Sequence, residues 1–369
     1  MAYSTDLNVK ENPFTGKIFT DPADNTDGDW AQYGCFEHID YTNDDITTDV
    51  FTSIITGDAK TVTELTGKEN PKVLTAGPDD TVFTYFIDHG AEGMMGIGDH
   101  ILLRIVFNMA LQSAFNDHLY GKWLWFVETC HSGSMFDRIP DNINIFAMTS
   151  SDREHNAAMN NCPPDDIVAG KELNTCMSGL WDNSFLDYAE QHPDCTVGEI
   201  VDAVMKDVAT SSDQNVSQYG DMSFRDMKLS DFIGSPKKSV CKKDSLTKTT
   251  TVPLSDVPAH LAKWKAIRAE KESMEDALNK VQEVVYKNAK KEIEIMRLGR
   301  MLVGEKNVMN AMTSSAMEYS ADCVEKISMS LVQKCEHSLP FTNKAMNLIK
   351  NICIPGRSTP SINFDEVCM

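Results

Sequence analysis

Apolar positions are sparse and unphased through roughly the first 70 residues, where Asp, Asn, Thr, Gly and Pro interleave with single aromatics; this texture predicts long loops between short elements. At Thr81 the pattern changes. Thr81 to Ile87, TVFTYFI, is a β-branched and aromatic run of strand length that halts at Asp88-His89-Gly90. Ile101, Ile105 and Met109, flanked by Leu102, Val106 and Ala110, recur at helical spacing through Phe115 and predict a crossover helix. Lys122 to Glu128, KWLWFVE, reads as a second buried strand and runs straight into Thr129-Cys130-His131-Ser132-Gly133-Ser134. A third apolar run, Ile143 to Met148, passes into Thr149, Ser150 and Ser151.

The strand, helix, strand order implies a right-handed βαβ unit with two parallel strands, and the third strand extends it into an α/β sheet. Open parallel sheets bind ligands beyond the carboxyl ends of their strands. The loops after Ile87, Glu128 and Met148 are therefore expected to share one crevice, where His89 and Cys130 would meet. Residues 234 to 258 turn Ser-, Thr- and Lys-rich and read as an exposed linker. His260 to about Val303 is a charge-laced helical pattern almost without Gly or Pro, and the tail continues mostly helical. The expected organisation is an α/β domain over 1–233, a linker over 234–258 and an all-α segment over 259–369.

At 369 residues the chain is long enough for about two domains. Its 55 acidic residues against 34 basic ones give a net charge of -21, which repels nucleic acid and anionic membrane surfaces. No stretch approaches a membrane-spanning apolar run, and the opening residues lack the pattern of a signal peptide. The 10 cysteines include no C-x-x-C pair, which argues against a zinc ribbon or a redox dithiol, and neither a metal nor another cofactor is expected. Four of them, Cys323, Cys335, Cys353 and Cys368, crowd the tail. Bridges among them would imply an oxidising compartment; four cysteines permit three connectivities, by the counting rule for disulfides.

A thiol becomes a useful nucleophile when a neighbour lowers its pKa or removes its proton, and an imidazole at the adjacent strand end does both. An isolated Cys or His is ordinarily a buried or satisfied structural residue. The pairing of two strand ends favours chemistry instead. Gly90, directly after the histidine, can bring a backbone N–H close to a developing oxyanion.

Tyr85-Phe86-Ile87-Asp88-His89-Gly90 and Glu128-Thr129-Cys130-His131-Ser132-Gly133-Ser134-Met135 together resemble the two active-site motifs of the legumains, asparaginyl cysteine endopeptidases of family C13. Asn12-Pro13-Phe14-Thr15-Gly16, Pro140-Asp141-Asn142-Ile143-Asn144 and Gln218-Tyr219-Gly220 are similar to further landmarks, so the resemblance spans essentially the whole chain. It implies a caspase-like, mostly parallel sheet flanked by helices and followed by an all-α, death-domain-like inhibitory prodomain. It implies Cys130 as nucleophile, His89 as base, and the Gly90 and Cys130 backbones as oxyanion hole. Glu128 matches an acid lining the S1 pocket, where it can accept hydrogen bonds from the amide nitrogen of a substrate asparagine. Asp88 matches an aspartate able to form a succinimide and linked to peptide ligation.

Some positions depart from the family. Gly179 stands where a second S1 acid is expected, with Asp182 three residues on as a candidate substitute, and the S1 serine falls at Ala157, beside Asn156. Strict preference for asparagine is thereby weakened. The chain also starts just after the first strand of the family, whose end supplies an Asn that orients the histidine and an Arg of S1; truncation is the expectation. The resemblance further suggests disulfides Cys162–Cys176, Cys323–Cys353 and Cys335–Cys368, and self-processing at Asn279 or Asn288. It implies protein or peptide substrates, the prodomain as intramolecular inhibitor, cystatin-type inhibitors, and a lysosome-like, vacuolar or secreted location. Transpeptidation, or a non-catalytic inhibitor or interaction role, are the competing readings.

Overall fold

The computed structural model describes residues 1, 10, 12–21, 38–234, 249–269, 293–314, 316, 318–334, 343–356, 362 and 367. The chain divides into two compact units, one of Met1–His89 with Met94–Val257, the other of Gly90–Gly93 with Pro258–Met369. The first is built on a four-stranded sheet in the spatial order β1 (Thr81–Ile87), β2 (Lys122–Glu128), β3 (Ile145–Thr149) and β4 (Ser217–Gly220). β1, β2 and β3 run parallel, and β4 closes the sheet antiparallel to β3.

Both faces of the sheet are covered, which is why β2 is an almost unbroken apolar run. Successive side chains on a strand point to opposite faces. Trp123, Trp125 and Val127 pack on one side with Phe51 of α1 (Thr48–Ile55), Val62 of α2 (Ala59–Thr66), and Phe107 and Leu111 of α3 (Arg104–Asn116). Leu124 and Phe126 pack on the other with Trp181 and Phe185 of α4 (Leu180–Gln191) and with Ile200 and Val204 of α5 (Val197–Val208). Burial of aliphatic and aromatic side chains of this size contributes about 1.5–3 kcal/mol each. The result is a helix, sheet, helix stack whose mixed, mostly parallel sheet matches the α/β expectation.

Two sequence readings are corrected, and the short elements expected within the first 70 residues include two helices, α1 and α2. Their Thr-rich sequences are poor helix formers, but Thr47 caps Val50 N–H, Asp58 caps Thr61 N–H, and buried Val50, Phe51 and Val62 anchor the pair to the core. The crossover helix has a different phase. Ile101 and Leu102 lie in a short strand, His100–Leu103, paired antiparallel with Met94–Ile97, and the helix starts at Arg104. Phe107, Ala110, Leu111 and Ala114 face the core, leaving Ile105 58% and Met109 68% exposed. With apolar residues on every side of α3, periodicity alone could not select the buried face. Finally, the end of the supposed linker is structured: Val252–Pro253 pairs antiparallel with Met159 and Ala158, and Val252 is buried.

In the second unit the described residues are helical over Val257–Ala269 (starting at the unit boundary), 293–303, Val308–Thr313, Ala321–Lys334 and Asn343–Ile352. Leu298, Val324, Leu331, Leu348 and Ile349 form its buried seam. Cys323 and Cys353 are disulfide-bonded. Lys350 Nζ lies 3.1 Å from Glu92 Oε2, and both side chains are almost wholly buried. Cys335, Cys368, Asn279 and Asn288 lie outside the described residues.

Candidate active site

β1 and β2 are in register from Thr81 opposite Lys122 to Ile87 opposite Glu128, and Asp88 N–H donates to Glu128 O at 3.2 Å. His89 and Cys130 each stand two residues beyond that last pair. Neighbouring strands are about 4.8 Å apart, so the two residues follow closely spaced strand ends. His89 is exposed and Cys130 is 4% exposed.

The loop carrying Cys130 is stitched to the end of β3. Ser132 N–H donates to Ser151 Oγ (3.2 Å), Gly133 N–H to Ser151 O (2.9 Å), and Ser151 Oγ to Thr129 O (3.0 Å). Ser134 Oγ donates to His131 O at 2.6 Å. The neighbouring His131 is a second imidazole beside the thiol, but it serves the loop. It takes a left-handed conformation (φ 56°), and its Nδ1 lies 2.7 Å from Arg153 O. A carbonyl only accepts, so that nitrogen carries the proton and donates it. Gly133 is required here because a Cβ would run into the Tyr219 hydroxyl and come within 2.9 Å of Asp152 Cα.

Asp88 shapes the turn that presents His89. Its Oδ1 accepts from His89 N–H at 2.6 Å and its Oδ2 from Gly98 N–H at 3.0 Å. Gly96 must lack a side chain, since a Cβ would sit 2.7 Å from Asp88 Oδ1.

Glu128 is not a strand-end carboxylate facing water; it is fully buried. Neither of its oxygens has a hydrogen-bond partner among the described residues. Its carboxylate lies flat against Gly179, where a Cβ would overlap both oxygens. An acid at 179 would require the Glu128 side chain to take another position. Gly179 also caps α4, whose first turn carries Asp182, 5% exposed, toward Glu128. Tyr85 Oη donates to Asp182 Oδ1 at 2.5 Å. Burial first, then the charge of the nearby Asp182 carboxylate, and more weakly the Cys130 charge, push the Glu128 carboxyl well above the usual range. The nearby Asp182 backbone N–H, outside standard hydrogen-bond geometry, opposes this only in part. Burial and the same carboxylates keep the Tyr85 phenol protonated. Glu128, Gly179 and Asp182 are thus brought together.

Ala157 and Asn156 precede the strand Ala158–Asn160, which pairs antiparallel with Ser178–Gly179 on one edge and Val252–Pro253 on the other. Ala157 O accepts from Leu254 N–H at 2.8 Å, and Thr250 hydrogen-bonds Asp165 through both its N–H and its hydroxyl (2.6 Å each). Cys162 and Cys176 are disulfide-bonded across this loop. Sequence reasoning missed Tyr85, Ser151 and the Thr249 to Leu254 segment. Tyr85 had a legible signal, since Tyr85, Ile87 and His89 are spaced by two.

Among the described residues no group of His, Cys, Asp and Glu could hold a metal ion, and no helix is long and apolar enough to cross a membrane.

A thiol and an imidazole thus follow the ends of adjacent parallel strands. Residues 1–235 match the Peptidase C13 family. A hemoglobinase of Schistosoma japonicum is 27% identical over 367 residues, covering 97% of this chain and 81% of the relative. Mouse legumain is 27% identical over 382 residues, covering 100% and 83%. A rice (subsp. indica) vacuolar-processing enzyme, beta-isozyme 1, is 26% identical over 337 residues, covering 86% and 67%. The chain belongs to the Peptidase C13 family of cysteine peptidases.

Proposed function

We propose that this protein is an endopeptidase cleaving after asparagine, with Cys130 as nucleophile and His89 as its base. The Cys130 thiolate attacks the substrate carbonyl, having given its proton to His89; the protonated imidazole then passes that proton to the departing amine, leaving a thioester. Water, deprotonated by His89, attacks the thioester, and the acid product and free thiol are released. Backbone N–H groups of Cys130 and Gly90 would carry the oxyanion. The observation that supports the reading is the register of β1 and β2, whose last pair, Ile87 opposite Glu128, lies two residues before His89 and Cys130, in a C13 chain.

Glu128 and Asp182, with Gly179, Ala157 and Asn156 nearby, are the residues we assign to the P1 side-chain site. We read the protein as a zymogen with a death-domain-like C-terminal inhibitor released by cleavage at Asn279 or Asn288. Support comes from the Thr249 to Leu254 segment, which lies as an added strand along Ala157 to Asn160, the hydrogen-bonding mode an extended peptide substrate uses. The relatives named legumain and vacuolar-processing enzyme support a lysosomal or vacuolar location and protein substrates, and cystatin-type proteins are the expected inhibitors. A second reading, peptide ligation, is favoured by the contact of the His89 amide with Asp88, since that nitrogen is the one that would close a succinimide on the Asp88 carboxyl with loss of water.

Covalent capture of Cys130 by a peptide ending in an asparaginyl electrophile tests the assignment. An adduct on Cys130 supports it; a chain that folds, has been cleaved free of its C-terminal inhibitor and still takes no label is a non-catalytic homologue.

A further inference from the structure

Between β3 and the strand Ala158–Asn160 the chain bends without forming a regular element, and the nucleophile loop is bound to alternate residues of that bend. Ser151 O accepts from Gly133 N–H (2.9 Å), Arg153 O from the His131 imidazole Nδ1 (2.7 Å) and His155 O from His131 N–H (2.9 Å). The residue next to Cys130 is thus held at its backbone nitrogen and at its ring. Arg153 grips the loop a second time, since its Nε donates to Asp137 Oδ2 at 2.6 Å. His131 has a φ of 56°, a left-handed conformation that a non-glycine residue keeps only where its surroundings impose it.

One carboxylate gives the bend its shape. Asp152 Oδ1 accepts from Glu154 N–H (2.7 Å), His155 N–H (2.9 Å) and His155 Nδ1 (2.7 Å), and its Oδ2 accepts from Asn215 Nδ2 (2.7 Å), just ahead of β4. An Asp that accepts from the N–H groups two and three residues on folds its own turn. Burial pushes the Asp152 carboxyl up, but the hydrogen bonds from His155 and Asn215, with that from Glu154 N–H, outweigh it and hold the group below the usual carboxylate range. Asp152 therefore stays an anion, an acceptor for all four donors.

We propose that Asp152 is a positioning residue for the nucleophile: by folding the 152–155 bend it fixes His131 at its backbone nitrogen and Nδ1, and through His131 it sets the placement of the Cys130 thiol. His155 and Asn215 serve Asp152 in turn, as the donors that keep the carboxylate charged and oriented. The consequence for catalysis rests on the peptidase reading proposed above; the hold on His131 does not.

Two measurements test this. In the full chain carrying Cys130→Ser, which cannot process itself, Asp152→Ala should speed hydrogen exchange at His131 N–H about tenfold or more while the amides of β2 keep their protection. A His131 amide that exchanges at the parent rate, or that rises only in step with β2, would overturn the proposal. In the chain cleaved free of its C-terminal inhibitor, Asp152→Ala should lower the maximal rate of Cys130 capture by the asparaginyl electrophile about tenfold or more. The half-saturating concentration should stay within about twofold, because the thiol is displaced and the peptide site is not. Asp152→Asn, whose Oδ1 still accepts from the Glu154 and His155 N–H groups, should recover part of that rate. Capture by Asp152→Ala at the parent rate, or a change confined to the half-saturating concentration, contradicts the role. Should Asp152→Ala not fold, Asn215→Ala removes one exposed donor and carries the same readings: faster His131 exchange with slower capture supports the proposal, and parent values overturn it. A parent that takes no label while Asp152→Ala frees the His131 amide refutes the peptidase reading and leaves the hold on His131 standing.

Discussion

Replacing Gly133 by Ala probes how the nucleophile loop is held. The added Cβ meets the Tyr219 hydroxyl, lies 2.9 Å from Tyr219 Cζ, and lies 2.9 Å from Asp152 Cα. The Asp152 contact is with backbone, and Asp152 is itself tied to Asn215 Nδ2 at 2.7 Å and to His155 Nδ1 at 2.7 Å, so it has little room to retreat. Overpacking of this kind costs about 1–3 kcal/mol. The strain falls on the loop whose Gly133 N–H is bound to Ser151 O, so Cys130 should shift and activity fall along with stability. Tyr219→Phe alone removes one hydroxyl and should cost about 1 kcal/mol or less. Combined with Gly133→Ala it clears the worst overlap, so the double variant should be more stable than the sum of the two changes by about 1 kcal/mol. Urea unfolding followed by tryptophan emission reads this directly, because Trp123, Trp125 and Trp181 are all buried in the first unit. A Gly133→Ala chain as stable as the parent, or a double variant showing simple additivity, would refute the steric reasoning.

The other expectations concern covalent and ionic ties. Reducing the Cys162–Cys176 bond, or replacing both residues by Ala, frees a loop closed over a sequence separation of 14 residues. About 3 kcal/mol should be lost, visible as a thermal midpoint of the double Ala variant that is lower than the parent's before any reductant is added. Lys350→Met removes the ammonium beside the buried Glu92 carboxylate and should destabilise the second unit by about 3–5 kcal/mol, with Glu92→Gln in the same chain recovering part of it in thermal unfolding.

The sheet was legible because its strands carry strong local signals. Thr81–Ile87 and Lys122–Glu128 are found at the bounds that their β-branched and aromatic runs predict. Elements whose identity depends on distant partners were not. α1 and α2 exist through caps and a shared core rather than propensity, and the buried face of α3 is chosen by the hairpin that precedes it. At the site, the strand-end position of Cys130 and His89 followed from topology. The burial of Glu128 did not, since it depends on Gly179 and Asp182 arriving from α4, about fifty residues away, as long-range contacts do regardless of local pattern. Gly179 looked like the loss of an acid. In the structure it is the space that the Glu128 carboxylate fills.

The central claim is that Cys130 is a nucleophile activated by His89, and covalent capture tests it most directly. A peptide carrying an asparaginyl electrophile should add once to the chain after cleavage at Asn279 or Asn288 has released its C-terminal inhibitor, with the adduct mapped by mass spectrometry to Cys130. Cys130→Ser should take no label, and His89→Ala should react at least about a hundredfold more slowly, the upper part of the range for losing a general base. Labelling at another thiol, such as buried Cys195, or equal rates with and without His89, would contradict the account.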